Sequence, residues 1–164
     1  MKKKIQFLMV VVILMFNTVN AQEHNHHESH NGIELGVGTG VFYTMHEKEA
    51  SSGIHVHGLY NINKIALGLG YESVFAHELH QNVSAIFAYR PIESIELSIA
   101  PGILLENEET GKNLPSLHFE AIYLFEVGKL FHIGPVVSYS FTEADQHIMA
   151  GIHLGIPLFR EDHD

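Results

Sequence analysis

The chain has 164 residues, 9 basic and 19 acidic side chains, 14 histidines and a formal net charge of −10. Such an acidic surplus argues against nucleic acid as a partner, and the absence of cysteine excludes disulfides, thiolate chemistry and cysteine-linked lipid. At this length one domain is expected rather than two.

Lys2, Lys3 and Lys4 open the chain, the apolar run IQFLMVVVILMF follows, and TVNA precedes Gln22. Charged region, apolar core and small residue is the order of a secretory signal peptide, expected over residues 1–21; the apolar run is short for a helix that must span a membrane with about 20 residues. Removing it leaves 143 residues (164 − 21), with six basic side chains against nineteen acidic and a net charge of −13. Next comes a polar leader, residues 22–32, QEHNHHESHNG, carrying His24, His26, His27 and His30. Their spacing fits no defined zinc motif, so two readings stay open: a soluble spacer, or a tract that captures divalent metal weakly.

Beyond it the chain settles into short alternating segments broken by Gly, Asn, Pro and acidic clusters, with no run at helical spacing. Eight strands are expected, at 33–44, 53–61, 65–75, 82–90, 95–106, 116–127, 131–142 and 147–159, followed by a polar tail, 160–164. The connections INK, PIES and GKL are short and alternate with MHEKEASS, AHELHQ, ENEETGKNLP and EADQ. Turns at one end and loops at the other describe an antiparallel up-and-down meander, and His46, His77, His80 and ENEE in the loops read as a solvated outer surface.

Parity carries the argument further. Glu34, His55, His57, Glu72, Arg90, Glu96, Glu106, His118, Glu120, Glu126, His132, His147 and His153 fall on one face of these strands. The opposite face has no ionisable residue except tyrosine, and every strand adds Ile, Leu, Val or Phe to it. A soluble ligand-binding barrel with its apolar face inward would alternate in the same way, so alternation does not choose the inside. Two features do. The polar face is rich in small residues (Gly36, Gly38, Gly40, Gly68, Gly70, Ala100, Gly102, Gly134, Gly151, Gly155), as crowding inside a narrow barrel requires, and Arg90 is its only permanent cation. Aromatics of the apolar face gather near strand ends: Tyr60, Tyr89, Phe125, Phe131 and Phe159 at the turns, Tyr43, Tyr71, Phe75, Phe119, Tyr139 and Phe141 towards the loops. Two such girdles mark the interfaces of a bilayer, and the strand lengths suit tilted crossing. In HFEAIYLFE, His118 to Glu126, the aromatic residues then face lipid while His118, Glu120 and Glu126 face the lumen.

On these residues, about 33–159, the chain resembles the small eight-stranded outer-membrane β-barrel (porin-like) family of Gram-negative bacteria. The last strand, HIMAGIHLGIPLF, is similar to the signal read by the outer-membrane assembly machinery, with Leu154, Ile156, Leu158 and Phe159, although Pro157 and the trailing REDHD depart from it. The resemblance implies a closed transmembrane barrel in the outer membrane, in contact with its lipid, with a structural or binding role. An eight-stranded barrel is filled by its own side chains, so no open pore is expected.

Counted from the turn end, His55, Glu72, Glu120 and His153 lie at similar depth, with His57 and His118 nearby. The first expectation is a hydrogen-bonded His/Glu network that stiffens a packed polar lumen. The alternative is a divalent-metal site for Zn²⁺, Cu²⁺ or Ni²⁺ on those six residues or on the leader histidines. Catalysis is not expected: G-x-S-x-G is absent, Ser116 and Ser138 have no distinctive context, and GVGTG is a strand rather than a phosphate loop.

Overall fold

The computed structural model describes residues 31–76, 79–107, 111–128, 130–143 and 146–161; residues 1–30, on which the expected signal peptide and most of the expected leader fall, and residues 162–164 lie outside them. The strand segments are β1 (Asn31–Thr44), β2 (Glu49–Ile62), β3 (Ile65–Phe75), β4 (Leu79–Ile92), β5 (Ile95–Asn107), β6 (Lys112–Tyr123), β7 (Phe125–Val127), β8 (Phe131–Thr142) and β9 (Gln146–Glu161). Neighbours pair antiparallel, β1 pairs β9, and β8 pairs both β6 and β7. Register runs unbroken from Ile122↔Val136 to Phe125↔Ile133, so β6 and β7 are one stave. The fold is therefore a closed, all-β, antiparallel barrel of eight staves in meander order.

The interruption at Leu124 has a cause in the facing strand. Pro135 sits opposite Tyr123 and has no N–H to give, while Leu124 keeps its bond to the other neighbour, donating to the Ser94 carbonyl at 2.8 Å. Two further prolines lie at bulges. The β4–β5 register shifts between Tyr89 and Ile92, around Pro91, and the β1–β9 register shifts between Ile33 and Glu34, which face Phe159 and Pro157. Leu158 is thus the extra residue of a bulge, and both Leu158 and Phe159 are exposed instead of continuing the expected alternation.

At the loop end the strands run further than their polarity predicts. β2 begins at Glu49, β4 at Leu79 and β6 at Lys112, so the connections shrink to 45–48, 76–78, 108–111 and 143–145, against 63–64, 93–94 and 128–130 at the other end. Main-chain groups make the ladder, and every residue except proline carries both of them; polarity marks where the apolar band ends, not where pairing ends. β1 likewise begins earlier than expected, at Asn31 rather than Ile33. Tight turns are closed by residues that tolerate positive φ, Asn63 (φ 55°) and Gly128 (φ 64°).

Ile33, Leu67, Leu69, Phe87, Ile99, Ile103, Phe119, Val137 and Ile152 point outward and are exposed, Leu69 at 68%. Inside are Glu34, His55, His57, Glu72, Glu96, His118, Glu120, His132, His147 and His153, all buried. This is the arrangement read from the sequence, and the inverse required of a soluble barrel is not adopted. Glu126 is an exception: it sits opposite His132 at the turn-end rim and is exposed. The side chain of Glu106 lies outside the described residues. Nor is the lumen wholly polar, because two apolar clusters share it, one of Phe42, Val74, Ile122, Leu124, Val136 and Met149, the other of Leu59, Ala66, Ile86, Ala88 and Ala100.

Candidate functional site

The lumenal histidines are placed by glycines. His55 pairs with Gly38, His57 with Gly36 and Gly70, His132 with Gly155, and His153 with Gly38 and Gly134. A Cβ added at Gly36 would strike the ring of His57, and one at Gly155 the ring of His132. The rings of His57 and His132 therefore lie across backbone that lacks a side chain, which relieves crowding in a lumen that eight strands would otherwise fill.

From the turn end, Arg90 comes first. Its Nη2 donates to Glu34 Oε2 at 3.0 Å and lies 2.6 Å from Glu96 Oε2, to which Nε also donates at 2.7 Å. Asn61 Nδ2 donates to the same Glu34 oxygen at 3.4 Å. The other oxygen, Glu34 Oε1, is 3.2 Å from His132 Nε2. The rings of His132, His153 and His57 then stack, with centroids 5.6 and 5.1 Å apart and planes within 20°. His57 Nδ1 and His55 Nε2 share a hydrogen bond of 2.7 Å. His55 Nδ1 lies 3.3 Å from Glu120 Oε2, which is 3.8 Å from His118 Nε2. His118 Nδ1 is 3.7 Å from Glu72 Oε2, and His147 Nε2 donates to Glu72 Oε1 at 3.1 Å. A file of imidazoles and carboxylates thus runs from one end of the lumen to the other.

The file is not a satisfied network. Glu34 Oε1, His132 Nε2, His153 Nδ1, His55 Nδ1, His57 Nε2, Glu72 Oε2 and Glu120 Oε2 are buried without a hydrogen bond. Several are within ion-pair distance of each other yet off the line that a hydrogen bond requires. Among the described residues, two sets of three are compact enough to hold one cation: His55, His57 and Glu120, and Glu34, His132 and His153, with ligand atoms within 4.8 Å of one another in each.

Of the six expected residues, the structure brings His55, His57 and Glu120 into one set. His153 belongs to the other, whereas His118 and Glu72 lie further along the file. Equal depth does make neighbours of some: His55 pairs with Glu72 and lies 3.3 Å from Glu120, and its ring centroid is 6.5 Å from that of His153. Glu34, His132 and His147 were not singled out by depth counting. The signal that finds them is the facing pattern, since the position two residues before Gly36 and the partner of Gly155 are both ionisable. Towards the loop end, Glu72, His80, Asn82, Leu104, Ser116, Ser140, Thr142 and His147 line a cavity of about 10 Å³, room for roughly one water. His80 is therefore not a purely surface residue, since its Nε2 is buried; His46 is exposed as expected.

No protein-family model matches the chain, and no curated protein matches it in sequence. Among solved structures it is similar to a de novo designed transmembrane β-barrel, at 16% identity and TM-score 0.54 over 77% of this chain and 97% of that one. It is also similar to Neisserial surface protein A (NspA), at 9% identity and TM-score 0.51 over 77% of this chain and 96% of that one. The likeness is one of fold, that of a small outer-membrane β-barrel.

Proposed function

We propose that the chain is a secreted protein of the Gram-negative outer membrane, inserted by the outer-membrane assembly machinery, in which a sealed barrel serves a structural or binding role rather than diffusion. One observation carries this reading: each long strand alternates between an exposed apolar side chain and a lumenal one, and four buried carboxylates, Glu34, Glu72, Glu96 and Glu120, lie on the lumenal side. An apolar band of this extent is stable against acyl chains and aggregation-prone in water. Fully buried Phe42 and Met149 in one apolar cluster, together with the His/Glu file, support sealing of the lumen.

The test is cell fractionation of the full-length chain together with planar-bilayer recording of the purified protein. Recovery in the outer membrane, release only by detergent and absence of conductance steps are expected. A soluble periplasmic protein would overturn the membrane assignment, and stable conductance steps would overturn the sealed lumen.

A further inference from the structure

We propose that Glu34, His132 and His153 hold a divalent first-row transition-metal ion inside the barrel, at its turn end. Three strands adjacent in the barrel, β1, β8 and β9, supply one residue each. All three residues are more than nine-tenths buried, at 4%, 7% and 1% exposure. Each presents a buried atom with no hydrogen bond, Glu34 Oε1, His132 Nε2 and His153 Nδ1. Leaving such buried atoms without a hydrogen bond is costly, and a cation is the partner that satisfies an imidazole lone pair and a carboxylate oxygen together.

The geometry fits an ion better than a direct bond. Glu34 Oε1 and His132 Nε2 stand 3.2 Å apart. Ligands at about 2.0–2.1 Å from a tetrahedral Zn²⁺ stand roughly 3.3–3.4 Å apart. Two imidazoles and a carboxylate form a donor set suited to Zn²⁺, Cu²⁺ or Ni²⁺ and leave a position open for water. The ligands are also held from behind. Arg90 and Asn61 fix the second oxygen of Glu34, the Gly155 backbone carries the His132 ring, and His153 is stacked between His132 and His57.

Charge points the same way. Four buried carboxylates face one guanidinium, leaving three negative charges in the described lumen for imidazolium or metal to balance. The set lies beside the turn-end rim, where exposed Glu126 sits directly opposite His132. The set formed by His55, His57 and Glu120 is the poorer seat, because two of its imidazoles already bond each other at 2.7 Å, closer than two ligands of one ion stand.

The test uses the full-length chain with His24, His26, His27 and His30 replaced by alanine, so that the leader cannot bind, refolded in detergent and stripped with chelator. Zn²⁺ is titrated by calorimetry and by melting of the heat-modifiable band on gels, and Co²⁺ by visible absorption. The expected result is a single tight ion per chain that raises the melting midpoint. Affinity should fall in Glu34→Gln and in His153→Gln by at least the ten- to hundredfold that even supporting groups behind a ligand command, and persist in His55→Gln. If the variants fail to fold, the Co²⁺ spectrum of the unaltered lumen decides: intense tetrahedral bands support the site, and the spectrum of the hydrated ion overturns it. Absence of Zn²⁺ binding once the leader is replaced, or binding unaffected by Glu34→Gln and His153→Gln, also overturns it.

Discussion

Arg90 shows how much of this barrel rests on single side chains. It contacts both Glu34 and Glu96, and removing it strands two buried carboxylates in the lumen. Arg90→Met should therefore destabilise the folded barrel by about 3–5 kcal/mol, the cost of breaking a buried pair on one side only, measured by urea titration of the heat-modifiable band. Glu120→Gln removes a charge facing both His55 and His118 and should cost less, about 1–3 kcal/mol. The lumenal sign of these residues was legible in the sequence, because parity alone sorts Glu34, His132 and Arg90 with His55 and Glu120. Their grouping was legible only in part: His55, Glu72 and Glu120, counted to a similar depth, do adjoin, whereas the set of Glu34, His132 and His153 is not found by a residue count from the turn.

Among the elements, the pairing of glycine with histidine across neighbouring strands is the feature that makes the lumen possible. Gly36→Ala and Gly155→Ala should each drive a methyl group into an imidazole and destabilise by roughly 1–3 kcal/mol, the usual cost of overpacking, whereas Gly58→Ala should be nearly neutral because its added Cβ meets nothing within 4 Å. Equal losses at all three positions, in the same urea titration, would remove the steric reading. Strand existence and order were readable from period-two alternation, since the apolar runs were broken by Gly, Asn, Pro or acidic clusters. Loop length was not. Glu49, Gln81 and Asn113 are polar and yet paired or strand-borne, so the four connections at the loop end are barely longer than the turns. Topology consequently rests on the even number of staves, which puts both described ends beside the turns at 63–64, 93–94 and 128–130. The chain has no cysteine of its own, so single cysteines at Glu47 and Glu93 report cleanly. In intact cells, a membrane-impermeant reagent should label Glu47→Cys and spare Glu93→Cys.

For the whole molecule, the account depends on which face meets lipid. Ile99→Arg puts a cation on the outer face near mid-strand and should cost about 2–4 kcal/mol of assembly free energy, while Ser98→Thr on the lumenal side should be mild. The direct measurement is a nitroxide label at Ile152→Cys, an outward position exposed at 58%, in protein folded into lipid vesicles. Accessibility to dissolved oxygen together with protection from water-soluble chromium oxalate is the expected result. A label open to chromium oxalate and poorly reached by oxygen would contradict the lipid-facing assignment of the apolar surface.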